Sequence, residues 1–158
     1  PEIVLAERLP GIFTKEDIDE AFWENRYKQI NNFEKNIIQN GTQVLKFFLH
    51  ISKKEQAKRF IDRIEDREKH WKFSSGDLTE RGFWDEYQIA YEQTLKNTST
   101  KKAPWYIIPA DDKDFAHQLI GKVILEKLKE MDPQFPAISK AEADSMALAR
   151  KSLVKIGL

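Results

Sequence analysis

The sequence predicts an α/β protein with helices packed on a parallel sheet. Two short runs, residues 44–49 and 105–108, are almost continuously apolar, which is typical of strands buried on both faces. Longer segments around them carry apolar residues at every third or fourth position, the spacing of an amphipathic helix. Strands that alternate with helices indicate a parallel sheet, and a length of 158 residues suits one domain.

The first predicted helix follows a lead-in segment, residues 1–11. It begins after Thr14, a good N-cap with Asp17 three residues later, and it ends at Asn40 and Gly41, a pair typical of a helix stop. Its apolar residues share one face. They are Ile18, Phe22, Trp23, Tyr27, Ile30, Phe33, Ile37 and Ile38.

The first predicted strand, residues 44–49, leads into a second helix. Ser52 and Glu55 have the spacing of a capping box, in which the serine accepts a backbone hydrogen bond at the start of a helix. The helical pattern continues to about Asp66. The sequence therefore places a helix N-terminus directly at the carboxyl end of a strand.

The middle of the chain is less regular. Residues 67–75 are mixed in character and are predicted to be irregular. Asp77 is expected to cap one long helix that reaches about Leu95, after which a polar stretch intervenes. The second strand, residues 105–108, follows between two prolines.

Two more helices are predicted in the last part of the chain. Asp111 or Asp112 is expected to cap the first of them, which ends before Pro133. Ser139 and Glu142 form a capping box that opens the second.

Two strands are too few for an ordinary open sheet. Both are predicted to be buried, so we expect neighbouring strands from another chain or from sequence that is absent here. The chain also begins at Pro1 without a methionine. These observations favour a portion of a longer protein.

Charge and composition exclude several classes of function. Twenty-six basic and 26 acidic side chains give a formal net charge of zero, so binding of nucleic acid through bulk charge is excluded and any polyanion must meet a local basic patch. There are no cysteines, which excludes a disulfide framework, a thiolate zinc site and a cysteine nucleophile. The lack of cysteine and of a long apolar run fits a cytoplasmic protein with no membrane segment.

The zero total conceals a basic segment, residues 50–72, with eight basic and five acidic residues. Within it, Arg59 and Arg63 are one helical turn apart and are expected to point the same way, where two guanidinium groups could grip adjacent phosphates. Spacing alone favours the alternative, in which acidic neighbours pair with these cations on a solvated helix. Those neighbours are Glu55, Asp62 and Glu65.

The carboxyl ends of parallel strands are where ligands bind in such sheets. Asp111, Asp112 and Lys113 follow the second strand and could bind a metal ion, a ribose or a base edge, although a helix cap and first turn explain them as well. The three histidines have no metal-ligand spacing, and no GxxxxGK[ST], GxGxxG or GxSxG motif occurs. The 158 residues thus hold no complete catalytic constellation.

Several motifs nevertheless occur together in a recognisable order and spacing. They are residues 42–56, Arg59-Phe60 through Arg63, residues 69–73 (KHWKF), residues 98–100, residues 103–106 and residues 109–113, with Trp23 and Arg26-Tyr27 upstream. In these motifs the chain resembles the polyphosphate kinase 2 family over about residues 1 to 130.

The resemblance implies part of a three-layer phosphate-loop kinase fold, with a thymidylate-kinase-like parallel sheet and a helical lid. It also implies transfer of a phosphoryl group between inorganic polyphosphate and a nucleotide such as AMP, ADP or a GDP-type nucleotide, with Mg²⁺. The Walker A and Walker B segments of the family lie upstream, and Pro1-Glu2 resembles the end of the second. Residues 1–131 would be the C-terminal part of that domain, and residues 132–158 a helical extension.

The family's lid, at about residues 53–100, implies roles for individual side chains. Arg59 and Arg63 would neutralise charge on the transferring phosphoryl group. Phosphate contacts are expected from Lys53, Lys54, Lys69 and Lys72. Nucleotide contacts are expected from Asp111, Asp112 and Lys113. No metal-ligating residue is assigned within the chain.

Three interpretations of function remain open at this point. The chain is the lid-bearing half of a polyphosphate:nucleotide phosphotransferase and is inactive alone, or it is a non-catalytic module that holds polyphosphate or nucleotide or serves assembly, or it is part of another phosphate-loop nucleotide kinase. The family resemblance also implies self-association into a homo-oligomer. No membrane or specific nucleic acid is expected as a partner.

Overall fold

Two parallel strands, β1 (Lys46–His50) and β2 (Trp105–Pro109), pair in register from Lys46 opposite Trp105 to His50 opposite Pro109. The structure is a computed structural model that describes residues 17–156. The parallel pairing confirms the predicted α/β class. Both predicted strands are present. β1 begins two residues and ends one residue later than its apolar run, and β2 is one residue longer than its run.

The rest of the regular structure in the described residues is helical. The helices are α1 (Glu20–Gln39), α2 (Lys53–Glu65), a 3₁₀ helix (Arg67–Lys72), α3 (Gly76–Arg81), α4 (Trp84–Thr98), α5 (Lys113–Met131) and α6 (Lys140–Lys155). The cap of α1 is Asp19, whose carboxylate accepts from the Phe22 N–H at 2.8 Å, whereas the predicted cap Thr14 lies outside the described residues. The predicted stop is confirmed, since Gly41 has a φ of 88°, which glycine adopts without strain.

Two predictions in the middle of the chain were wrong. The segment predicted as irregular contains the 3₁₀ helix, which starts because the Asp66 carboxylate accepts from the Glu68 N–H at 3.0 Å. The single helix predicted from Asp77 is two helices, α3 and α4, because the chain leaves helical geometry at Phe83 (φ −92°, ψ 29°). Asp77 caps neither helix and lies in the first turn of α3.

The core lies between β2 and α5. Ile108, Ala110 and Ala116 are buried there. The partly buried residues Phe47, Ile51, Tyr106, Leu119 and Ile120 pack against them. Burial of the strands on both faces was expected but is not seen within residues 17–156, because only two strands are present and Leu49 and Ile107 stay more than half exposed.

A buried ion pair joins four elements at the start of the sheet. Lys46 Nζ donates to Glu34 Oε2 at 2.8 Å and to the Thr98 carbonyl at 2.6 Å, and both charged residues are less than a tenth exposed. The Lys46 ammonium also lies 5.1 Å from the centre of the Trp105 ring, whose Nε1 donates to the Thr98 hydroxyl. The contacts therefore tie α1 to β1, to the end of α4 and to β2.

The chain divides into two compact units within α5, the first ending at Lys122 and the second beginning at Val123. In the second unit the predicted capping box is confirmed, since Ser139 and Glu142 satisfy each other's backbone N–H groups. The predicted domain boundary at residues 131–132 falls at the end of α5, and the assignment of the two domains stays a prediction. None of the helices between residues 17 and 156 is long and apolar enough to cross a membrane.

Candidate functional site

A cleft of about 450 Å³ opens at the carboxyl end of β1. Its walls are the strand end and helices α2, α3 and α4. The lining residues are Phe48, Leu49, His50, Ile51, Gln56, Phe60, Arg63, Asp77, Glu80, Arg81, Trp84, Tyr87, Gln88 and Tyr91. Aromatic rings and two arginines therefore face one space, at the place where parallel sheets bind ligands.

Arg63 is the predicted catalytic residue that reaches this cleft. Its guanidinium lies 5.5 Å from the centre of the Phe60 ring, and Nη1 lies 3.8 Å from Asp77 Oδ2. About a third of each side chain of this ion pair is exposed. A pair this long and this exposed contributes little, so Arg63 can turn to an anionic ligand at small cost.

Arg81 is a second cleft arginine, and it was missed at the sequence level. Its Nη1 donates to the Lys53 carbonyl at 2.9 Å and to Gln56 Oε1 at 2.6 Å. Its guanidinium lies 5.9 Å from the centre of the Trp84 ring, and Lys53 Nζ lies 6.0 Å from the same centre. The signal in the sequence was Gly82, which follows Arg81 and ends α3. The prediction of one long helix through this point hid that helix end.

Arg59 does not join Arg63 in the cleft, although the two are one turn apart on α2. Arg59 Nε donates to Glu55 Oε1 at 2.8 Å, and Nη2 donates to the Ala110 carbonyl at 2.5 Å. The alternative of pairing with an acidic neighbour is thus confirmed for Arg59 and Glu55. The role of Arg59 on the phosphoryl group stays a prediction.

The three polar residues after β2 make different contacts in this structure. Asp112 caps α5, because its Oδ1 accepts from the Phe115 N–H at 3.0 Å. Asp111 instead reaches across to α2, where its Oδ1 accepts from the Ser52 N–H at 2.7 Å. Lys113 is exposed at the first position of α5. Their contacts with a nucleotide stay a prediction.

The remaining predicted phosphate-binding lysines lie on the outside of α2 and the 3₁₀ helix. Lys54 is exposed. Lys69 Nζ pairs with Asp66 Oδ2 at 2.6 Å, which raises the pKa of Lys69 and lowers the pKa of Asp66. Lys72 Nζ lies 5.0 Å from the centre of the Trp71 ring, and Trp71 is 79% exposed. Lys53, by contrast, lies beside Trp84 at the rim of the cleft.

Comparison with known proteins decides the family. The family model for polyphosphate kinase 2 matches residues 2–136. The chain belongs to the polyphosphate kinase 2 family. The resemblance carried by the sequence motifs is therefore confirmed.

Curated relatives and a solved structure agree with this assignment. The ADP-polyphosphate phosphotransferase of Rhodopseudomonas palustris is 42% identical over 98% of this chain and 53% of that relative. The AMP/ADP-polyphosphate phosphotransferase of Meiothermus ruber is 43% identical over 85% of this chain and 49% of that relative. A crystal structure of polyphosphate kinase 2 from Arthrobacter aurescens TC1 superposes with a TM-score of 0.74 at 39% identity, over 83% of this chain and 47% of that one.

Two facts follow from the match to the polyphosphate kinase 2 family. The predicted phosphate-loop kinase fold is confirmed by the solved member of the family. The chain spans about half the length of these curated relatives.

Magnesium is the metal ion expected from the family resemblance. Between residues 17 and 156, no three side chains of His, Asp or Glu converge in a way that could hold a metal ion. A metal ion bound at this part of the chain would therefore be held by fewer than three of these side chains.

The bond from Ser52 to Asp111 makes stability depend on pH. The pKa of the Asp111 carboxyl is lowered, first because the Ser52 backbone N–H and hydroxyl donate to it, and further because Arg59 and His50 lie near. A lowered pKa means that the carboxylate stabilises the fold above its unfolded value, about 3.9. That contribution is lost as the pH falls through the folded value.

We therefore expect the stability difference between the wild type and an Asp111→Asn variant to be largest near neutral pH and to shrink below about pH 4. Urea unfolding midpoints of both proteins over this range measure it. A difference that stays constant with pH would contradict the assignment of this bond.

Proposed function

We propose that this chain is the lid-bearing portion of a phosphotransferase that moves a phosphoryl group between inorganic polyphosphate and a nucleoside mono- or diphosphate. The observation that carries the proposal is the cleft at the end of β1, with Arg63 and Arg81 on its wall, in a chain of the polyphosphate kinase 2 family. The names of the relatives, ADP- and AMP/ADP-polyphosphate phosphotransferase, support the substrate classes.

The cleft suits the needs of phosphoryl transfer. The reaction requires little covalent chemistry from the protein and depends on positioning and on cations near the equatorial oxygens. Arg63 can present two parallel N–H donors to a phosphate, and its loose contact with Asp77 leaves it available. Arg81 is engaged with Lys53 and Gln56, so its expected contribution is positive charge at the wall and orientation of the Lys53 backbone.

The proposal includes the finer points that follow from the family. A divalent metal ion assists the transfer, and magnesium is the expected one. Asp111, Asp112 and Lys113, which are all exposed, are the candidates for nucleotide contacts. The protein is expected to be cytoplasmic and to self-associate, the latter to be checked by light scattering.

One sequence feature favours a second candidate for the chain by itself. The 158 residues contain no GxxxxGK[ST] motif, so the isolated chain is expected to hold polyphosphate without transferring phosphate. This is the non-catalytic binding module considered above. The third interpretation, a different nucleotide kinase, is disfavoured by the names of the relatives.

Binding of polyphosphate to the 158-residue chain tests the proposed site. We expect an Arg63→Gln variant to bind about tenfold more weakly, because a charge-assisted hydrogen bond to phosphate is lost. Titration calorimetry at one fixed ionic strength measures the change. Lys96→Gln is the matched control, since Lys96 is an exposed cation of α4 that pairs with Glu92 away from the cleft lining. Equal affinities of the two variants would contradict the proposed role of Arg63.

A further inference from the structure

Three side chains join the start of α2 to the ends of both strands. We call Glu55, Arg59 and Asp111 the latch. Asp111, just beyond β2, accepts from the Ser52 N–H at 2.7 Å, and Arg59 donates to the Ala110 carbonyl at 2.5 Å. The hydrogen bonding between β1 and β2 also extends to Ala110, because its N–H donates to the His50 carbonyl at 2.8 Å. The latch thus lies where the sheet ends and α2 begins.

Glu55 orients the arginine of the latch. Its carboxylate accepts from Arg59 Nε at 2.8 Å, and the two side chains are only 17% and 23% exposed. The backbone N–H of Glu55 is in turn capped by the Ser52 hydroxyl at 3.0 Å. Because the pair is largely shielded from water, its geometry is held more firmly than that of a surface ion pair.

The Nε and Nη2 groups of Arg59 are committed to this arrangement. Besides Glu55 and the Ala110 carbonyl, its Nη2 lies 3.5 Å from the Asp111 carbonyl. Turning the guanidinium to a phosphate would strip the Ala110 carbonyl and the Glu55 carboxylate of their donor, and partly buried acceptors left in that way are destabilising. Arg63, one turn further along α2, lies over the Phe60 ring and makes a long, partly exposed ion pair with Asp77, which it can give up at small cost.

We propose that Glu55, Arg59 and Asp111 are positioning residues that fix the direction of α2, so that Arg63 faces the cleft. A helix behaves as a rigid element over one turn, so a fixed first turn fixes the place of the next. The inference rests on the phosphate-binding role proposed above for Arg63. In this proposal, Arg59 affects phosphate binding by positioning Arg63.

Glu55→Leu, which removes both the charge and the acceptor for Arg59 Nε, separates positioning from simple electrostatics in the 158-residue chain. Removing a negative charge beside a polyanion site should tighten polyphosphate binding if charge alone mattered. The latch predicts the reverse, a loss of about fivefold, because Arg59 loses its orienting partner. The loss should disappear when Arg63→Gln is already present, since the two changes then act on one interaction. Thermal unfolding of each variant shows that it is folded.

Asp111 supplies a conservative rescue within the same experiment. Asp111→Asn keeps an oxygen that can accept from the Ser52 N–H, so its affinity for polyphosphate should stay within about twofold of the wild type. Asp111→Ala should lose about fivefold, again only while Arg63 is present. A merely structural role would not make the loss depend on Arg63.

The outcomes distinguish the two proposals. Tighter or unchanged binding by Glu55→Leu, or losses that add fully to that of Arg63→Gln, overturn the latch and leave the proposed function standing. An Asp111→Asn variant as weak as Asp111→Ala also overturns the latch. No effect of Arg63→Gln alone overturns both.

Discussion

Replacing Lys46 with methionine is expected to lower the free energy of unfolding by about 3–5 kcal/mol. The substitution leaves the Glu34 carboxylate charged and only 8% exposed, with its partner gone. It also removes the donor to the Thr98 carbonyl. Removing one member of a buried ion pair lowers the free energy of unfolding by much more than the intact pair contributes to it, because an uncompensated charge stays in the interior.

Urea unfolding of the 158-residue chain measures this loss against a matched control. Lys28→Met breaks the pair with Glu24, whose side chains are 71% and 61% exposed, and it should change stability by less than about 1 kcal/mol. Combining Lys46→Met with Glu34→Leu should recover most of the loss, because an apolar pair replaces the ionic one. Equal effects of Lys46→Met and Lys28→Met would show that the Lys46 site is not buried as described.

Ile108→Ala is the second substitution with a large expected effect, about 2–5 kcal/mol of unfolding free energy. Ile108 is 4% exposed and packs with Ala110 and Ala116 between β2 and α5. Alanine removes three carbon atoms from a packed space whose other walls are Ala110, Ala116 and larger, partly buried side chains of the strands and α5. The site cannot collapse fully, so a cavity adds to the lost burial.

The neighbouring residue provides the control on the same strand. Ile107 points to the opposite face and is 61% exposed in this chain, so Ile107→Ala should lower the free energy of unfolding by less than about 1 kcal/mol. The same urea experiment compares the two. If Ile107→Ala were as damaging as Ile108→Ala, the assignment of the core to the α5 face of the sheet would be contradicted.

Lys46 also shows where sequence patterns stop being informative. The apolar run around it correctly predicts a strand, because burial and period are local properties. The lysine inside that run finds its partner on α1, twelve residues earlier, and a second acceptor at Thr98, 52 residues later. No spacing rule connects those positions, so the buried pair emerges only from the packing of α1 and α4 on the strands.

Only part of the candidate site could be predicted from the sequence, because the rest depends on contacts between distant residues. Helical spacing places Arg59 and Arg63 on one side of α2, and the motif resemblance places that helix in the lid. Their partners, the Ala110 carbonyl and Asp77, come from distant parts of the chain and draw the two guanidinium groups apart. The spacing of the residues therefore identifies the helix and Arg63. The contact of Arg59 with the Ala110 carbonyl can be seen only in the folded structure.

The two aspartates after β2 illustrate an ambiguity that geometry resolves. Either of them has the spacing of a helix cap, and the sequence could not choose. In the structure Asp112 caps α5, while Asp111 bonds to the Ser52 N–H across the sheet end. The break between α3 and α4 is a second such ambiguity. The apolar stripe continues through Phe83 and Trp84, and helix propensity is too weak a local preference to show that the helix stops there.

Formation of ATP from ADP and polyphosphate, by the 158-residue chain alone and by a fusion with the rest of a relative, tests the central claim most directly. The 158-residue chain is assayed alone and after fusion to the part of the Rhodopseudomonas palustris relative that it does not cover. We expect no turnover by the chain alone, because it lacks a phosphate loop, and turnover by the fusion that Arg63→Gln reduces about tenfold or more. Strong turnover by the chain alone, or a fusion that Arg63→Gln leaves fully active, would contradict the account.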